Sequence, residues 1–245
     1  MSREDGRSPE RLRPITIEPG VVRYAEGSAR ISVGETVVLC AATVEERVPP
    51  FLKGSGRGWV TAEYSMLPRS GRSRSAREAV QGRQGGRTQE IQRMIGRSLR
   101  GVTDLQSLGE RTVILDCDVM EADGGTRTAS ITGACVALHQ ALTFLVEQEK
   151  IPYHPMRDLV VAVSVGIFGS QALLDLCYTE DSRSDVDFNV VQTASGRLVE
   201  MQGTAEGRPF TREQLLEMLD LAGKGCEELV THQRKALGLA AGPTS

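Results

Sequence analysis

Two adjacent glycines, Gly124 and Gly125, are followed at once by Thr126 and Arg127, then by Thr128 and Ser130. Paired glycines let backbone N–H groups converge without side-chain obstruction. Where such a turn opens a helix, its unpaired N–H groups attract an anion. Thr126 and Ser130 can donate hydroxyl hydrogen bonds, and a guanidinium such as Arg127 can grip two oxygens at once. Phosphate is the natural occupant. No Gly-Lys-Ser/Thr follows, so this is not a Walker loop, and the third glycine of a dinucleotide fingerprint is missing. On pattern alone, a plain tight turn with Thr128 or Ser130 capping the helix accounts for the same residues.

A second candidate is the run from Arg87 to Arg100, which carries Arg87, Arg93, Arg97 and Arg100 against the single acid Glu90. Guanidinium forks match phosphate oxygens. With Arg69, Arg72, Arg74 and Arg77 just upstream, the segment suits an RNA backbone, although a solvated helix face reads similarly. No aromatic residues are interleaved, which argues against a base-stacking platform. The third candidate is Asp175 with Glu180, Asp181, Asp185 and Asp187. In an extended strand Asp185 and Asp187 share a face, and Asp181 could join them across the turn. Such an all-oxygen set suits magnesium or manganese, with calcium not excluded; an acidic turn holding no ion is the alternative.

What is missing narrows the chemistry. His139, His154 and His232 are dispersed, which leaves a histidine triad or metal site with little support. The five cysteines are odd in number and scattered through apolar patterns, as expected of buried free thiols rather than a disulfide frame or zinc site. A net charge of -3 gives no general attraction to polyanions, so any nucleic-acid contact depends on local clustering. No uninterrupted apolar run approaches a membrane span, and the arginine-rich start lacks the apolar stretch of a secretory signal; a soluble, cytoplasmic protein is expected.

The elements that must position these residues are legible from periodicity. Ala29–Val33 and Glu35–Val44 form a hairpin pattern around Gly34, Trp59–Met66 is a strand, and Arg69–Gly86 is too poor in apolar residues to be more than a mobile loop. A basic amphipathic helix follows from Thr88, with Ile91, Met94, Ile95 and Leu99 inward. Then come a strand over Arg111–Val119, the glycine turn, and a helix from about Thr128 to Gln148 with Ile131, Cys135, Leu138, Leu142 and Leu145 as its buried stripe. The second half repeats the order: strands over Leu159–Ile167, Ala172–Cys177, Val186–Thr193 and Arg197–Gln202, then a helix beginning at Thr211, where Thr211 and Gln214 fit a capping box. An α+β protein is expected, with a flexible segment over residues 1–13, a domain over 14–237 in halves of about 14–150 and 151–237, and a frayed tail over 238–245.

At these motifs the sequence closely resembles the ribonuclease PH family, from about Arg11 to Leu237. The resemblance is carried by Gly58–Tyr64, Gly86–Arg100, Leu115–Thr132, Leu176–Val191 and Val199–Glu206. It implies the duplicated α+β fold of that family, of the ribosomal protein S5 domain 2-like type, in a hexameric ring of three dimers. The implied reaction is phosphate-dependent removal of 3′-terminal nucleotides from RNA as nucleoside 5′-diphosphates, reversible as nucleotidyl transfer. Substrates would be transfer-RNA precursors. The family pattern assigns phosphate to Arg87 and to Gly125, Thr126 and Arg127, and gives catalysis and a divalent ion, Mg2+, to Asp181 and Asp187. RNA contacts would come from Arg69, Arg72, Arg74 and Arg77, with Arg93 and Arg97 along the helix. Ser65, Ser70–Gly71 and Glu121 depart from the pattern without removing a catalytic group. A non-catalytic RNA-binding ring subunit and a hydrolytic nuclease are the rival readings.

Overall fold

The computed structural model describes residue 3 and residues 5–240 of the chain. The residues 241–245 of the expected frayed tail lie outside the described residues. The first half forms a five-stranded sheet from β1 (Ile15–Pro19), β2 (Gly27–Val33), β3 (Thr36–Glu45), β4 (Trp59–Met66) and β5 (Thr112–Glu121), in the order β1-β2-β3-β5-β4. All neighbours are antiparallel except β4 and β5, which run parallel. Their connection carries α1 (Gly86–Gly101) and the short α2 (Leu105–Leu108). A parallel pair needs a crossover of this length, which explains why the basic loop and helix sit between those two strands.

α3 (Thr126–Glu147) leaves β5 through the glycine turn. The second half then forms a four-stranded antiparallel sheet from β6 (Val160–Phe168), β7 (Gln171–Leu174), β8 (Val186–Thr193) and β9 (Leu198–Ala205), in the order β7-β6-β8-β9. The one-turn α4 (Tyr178–Asp181) joins β7 to β8, and α5 (Arg212–Ala236) closes the chain. Thr211 caps α5 as expected, with Gln214 completing the capping box.

Alternation dictates the first sheet's inner face. Ile31 and Val33 of β2, Val38, Cys40 and Ala42 of β3, and Val113, Leu115, Cys117 and Val119 of β5 are all buried. α3 packs on this face and also against β6, so it lies between the two sheets. That placement corrects the expectation of a single apolar stripe: every residue from Thr128 to Leu138 is buried. The hydroxyls this encloses bond back along the helix, Ser130 to the Thr126 carbonyl at 2.8 Å and Thr132 to that of Thr128 at 3.0 Å. α3 also has the length and mean hydropathy, 1.5, of a membrane span, which counting unbroken apolar runs overlooks. Here 72% of that window is buried inside the protein, as befits a core helix. Four of the five cysteines are buried, Cys177 is half-buried, and all are free thiols.

Of the segment 1–13, expected to be flexible, residues 1, 2 and 4 lie outside the described residues, and the rest is held at three arginines. Arg3 donates to both carboxylate oxygens of Glu180 at 2.8 and 2.7 Å and to the carbonyls of Leu174 and Asp175. Arg7 reaches the Asp175 carbonyl at 3.2 Å. Arg13 forms a two-point pair with the Asp175 carboxylate at 2.9 and 2.7 Å. The loop expected over Arg69–Gly86 contains one 3-10 turn, Glu78–Gln81. It is tied at one end by Ala122 N–H donating to the Ser70 carbonyl at 2.9 Å. At the other end Glu78 accepts from Thr88 Oγ1 at 2.7 Å and from Gly85 N–H at 3.2 Å.

Candidate active site

The glycine turn is shaped from behind. Gly124 and Gly125 both have positive φ, +80° and +66°. A Cβ on Gly124 would come within 2.6 Å of the Leu176 carbonyl oxygen, so only glycine fits against the second half there. Arg13 donates to the Asp123 carbonyl at 2.5 Å, and Thr36 Oγ1 donates to the Gly124 carbonyl at 2.7 Å. The turn's carbonyls are thereby occupied. No side chain caps α3 at Gly125, which leaves the first N–H groups of a 22-residue helix available to an anion.

Around that helix start the structure gathers residues from both halves. Thr126 is buried, and its hydroxyl lies 2.9 Å from the Tyr64 hydroxyl. Tyr64 comes from β4 and carries no role in the sequence reading beyond its place in a matching block. Burial raises its pKa, offset in part by the charges of Arg87 and Arg127. Ser130, expected to face the anion, is fully buried and spends its hydroxyl on the Thr126 carbonyl. Thr128 likewise donates to the Gly125 carbonyl at 2.9 Å, leaving Thr126 as the turn's hydroxyl donor.

Arg127 is half-buried, and its Nη1 donates to Oε1 of Gln202 on β9 at 2.7 Å. Gln202 in turn donates to Glu90 on α1. Arg87 stands exposed in the first turn of α1, where its guanidinium makes no hydrogen bond or ion pair among the described residues. The charges of Arg87 and Arg127 both act on Asp181 and on Asp187, so these four side chains, two from each half, lie within electrostatic reach of one another.

The carboxylates sort into two groups. Asp175 and Glu180 belong to the buried arginine pairs described above and hold the turn around α4. Asp185, expected to share a site with Asp187, instead accepts from Gly169 N–H at 3.0 Å in the β6–β7 turn. Asp181 and Asp187 remain, both half-buried. Burial raises both carboxyls above their ordinary value; the charge of Asp181 raises Asp187 further, and that of Glu206 raises Asp181. Asn189 donates to Asp187 at 3.2 Å and works the other way.

Among the described residues no group of three or more His, Cys, Asp or Glu side chains is placed to hold a metal ion. Two oxygen donors nonetheless fit magnesium, which keeps several waters and is commonly held by one or two carboxylates together with substrate phosphates. The repulsion raising Asp187 is the kind of unmet charge that a divalent cation would relieve.

The six arginines expected on RNA are all exposed. Arg97 pairs with Glu200 at 2.8 Å, and Arg69 donates to the Arg72 carbonyl at 3.2 Å. Arg77 lines an open cavity of about 810 Å³ together with Arg87 and with the acids Glu63, Asp116 and Asp118.

Comparison with known proteins agrees with this architecture. The family model described as "3' exoribonuclease family, domain 1" matches residues 11–142, and that of domain 2 matches residues 158–225. The ribonuclease PH of Moorella thermoacetica is 61% identical over 238 residues, which is 97% of this chain and 95% of that protein. Two solved structures share the fold. The Archaeoglobus fulgidus exosome with RNA bound to the active site matches at TM-score 0.81 and 24% identity, over 94% of this chain and 92% of that one. The rice Rrp46 crystal structure matches at TM-score 0.78 and 19% identity, over 96% and 100%. With both halves matched in order and a relative this similar across nearly its whole length, the chain belongs to the ribonuclease PH family of phosphate-dependent 3′-to-5′ exoribonucleases.

Proposed function

We propose that Arg87, Arg127, Thr126 and the Gly125 backbone hold orthophosphate in line with the last phosphodiester of an RNA chain. The observation that carries this reading is the uncapped start of α3, with Thr126 and Arg127 on it and the charges of Asp181 and Asp187 opposite. Orthophosphate is an anion and its own nucleophile, which fits a site with no histidine or serine activated by a neighbouring base. Two guanidinium groups and the helix N-terminus offset the repulsion between the attacking phosphate and the RNA phosphate. An oxygen of orthophosphate bonds to the terminal phosphorus, the bond to the preceding 3′-oxygen breaks, and that oxygen takes a proton. The products are a nucleoside 5′-diphosphate and an RNA one nucleotide shorter. An anhydride replaces a diester, so the reaction runs in both directions.

Asp181 and Asp187 are the residues that would hold Mg2+, which when bound supplies Lewis-acid stabilisation of charge on the scissile phosphate. Alternatively, the burial that raises both carboxyls favours a protonated form of one of them, which would then donate its proton to the departing 3′-oxygen instead of holding the ion. Arg69, Arg72, Arg74 and Arg77 of the loop, with Arg93 and Arg97 on α1, grip the RNA backbone upstream. Transfer-RNA precursors are the proposed substrates, and a hexamer of three dimers the proposed assembly; light scattering in solution tests the latter.

A non-catalytic ring subunit would need the fold and the arginines without the carboxylate pair, and both aspartates are present here, with the charges of Arg87 and Arg127 acting on them. The test is a 3′-extended RNA incubated with and without orthophosphate. Nucleoside diphosphates formed only with phosphate support the reading, and monophosphates formed without it contradict it.

A further inference from the structure

We infer that Gln202 is a positioning residue for the phosphate site, acting as a neutral tether that aims Arg127 without cancelling its charge. This rests on the reading that Arg127 binds orthophosphate. Gln202 projects from β9 in the second half, Arg127 from the start of α3, and Glu90 from α1 in the first. Gln202 Oε1 accepts from Arg127 Nη1 at 2.7 Å, while its amide nitrogen donates to Glu90 Oε1. An ionised carboxylate only accepts, so Glu90 forces the amide's NH2 group toward itself and its oxygen toward the guanidinium. Glu90 therefore decides which way Gln202 faces, and Gln202 decides where Arg127 points. The three residues span both halves of the chain.

The choice of amide over acid has a consequence for an anion site. A guanidinium has five N–H donors, and one bond to a neutral oxygen leaves the others, and the full positive charge, for phosphate. A carboxylate at position 202 would form an ion pair with Arg127 and compete with phosphate for the same charge. It would also set two acids against each other at Glu90. A role in folding alone predicts the opposite ranking, because glutamate has glutamine's shape and still accepts from Arg127, whereas leucine loses the bond entirely.

The experiment compares Gln202→Glu and Gln202→Leu for KM of orthophosphate, KM of RNA and kcat, with Arg127→Ala in parallel. The expected result is a KM for phosphate raised by about tenfold or more in Gln202→Glu and by less in Gln202→Leu, with KM for RNA unchanged in both. Glu90→Gln, which frees the amide to turn over, should raise KM for phosphate while leaving every charge on Arg127 in place; it serves as the second reading should Gln202→Glu fail to fold. A Gln202→Glu enzyme closer to wild type than Gln202→Leu overturns the tether, as does a Glu90→Gln enzyme with unchanged KM for phosphate. If Arg127→Ala itself leaves KM for phosphate unchanged, the phosphate assignment has failed rather than the tether alone.

Discussion

Arg13 and Asp175 meet through two hydrogen bonds, 2.9 and 2.7 Å, with both side chains almost wholly buried. Arg13 also donates to the Asp123 carbonyl beside the glycine turn, while Asp175 opens the segment that leads to Asp181. One ion pair thus joins the backbone of the glycine turn to the strand end that leads to Asp181. Asp175 has φ +54°, a conformation that asparagine tolerates among the non-glycine residues. Asp175→Asn therefore removes the charge without adding backbone strain. Losing one partner of a buried pair costs about 3 kcal/mol, and urea unfolding of the variant should show a loss of that order.

Arg127→Ala and Arg87→Ala each remove a donor that the proposed mechanism aims at the attacking phosphate. Losses of this kind typically lower turnover by about 10²–10³. RNA affinity, measured in the absence of phosphate, should be nearly unchanged, since the proposed backbone grip lies on the loop and α1.

The carboxylate pair should trade stability for activity. A carboxyl whose folded pKa is raised adds stability that is complete below its unfolded value and lost as pH rises through the folded value. Burial, with the Asp181 charge second, puts Asp187 in that position, so at neutral pH its ionised form strains the fold. Asp187→Asn should raise Tm at pH 7–8, with the gain shrinking as pH falls toward the ordinary carboxylate range. Activity should drop by about 10²–10⁴. Mg2+ should raise Tm of the wild type and not of this variant, as thermal melts would show.

A second pH effect lies away from the site. The rings of His139 and His154 lie 4.4 Å apart, tilted by 38°, and burial, with the His154 charge second, pulls the His139 pKa down to about 4. A histidine with a depressed folded value gives stability that is present above its unfolded pKa, about 6.5, and lost as pH falls through the folded value. Stability should decline between pH 6.5 and 4 by roughly 1–2 kcal/mol, after allowance for solvent screening of a half-exposed ring. His139→Phe should flatten that part of the profile in denaturant titrations.

Charge removal in the loop should act on RNA and not on chemistry. Arg72→Ala with Arg77→Ala should weaken RNA binding and reduce the slope of log affinity against log salt by about 1 for each RNA phosphate no longer neutralised. Filter binding at several salt concentrations reads both quantities.

Much of this was legible in the residues themselves. Trp59–Met66 and Val186–Thr193 match β4 and β8 residue for residue, because short runs rich in β-formers bounded by turn signals leave little freedom. Thr211 and Gln214 announced the start of α5 through their reciprocal caps. The glycine turn itself was readable, because two consecutive glycines between a strand and a helix mark a tight turn, and both have positive φ. Long-range polar pairing was not readable: Arg3 and Glu180 are 177 residues apart, so no spacing rule links them. For the same reason Asp175 and Glu180 passed as members of an acidic cluster, when each already had a buried arginine. Asp185 misled because period-two alternation assumes an extended strand, and β8 begins only at Val186. Gln202 gave no signal beyond its place in a matching block, since an amide on an edge strand becomes meaningful only when Arg127 and Glu90 are seen on either side of it.

The central claim is that one orthophosphate sits at the start of α3 between Arg127, Thr126 and Arg87. Crystals of this protein soaked in phosphate test it most directly. Density for a single tetrahedral anion is expected within hydrogen-bond reach of the Thr126 and Arg127 side chains and the turn's N–H groups, with Arg87 drawn in from solvent. A turn left empty at phosphate concentrations that support turnover, or an anion bound elsewhere in the molecule, would contradict the account.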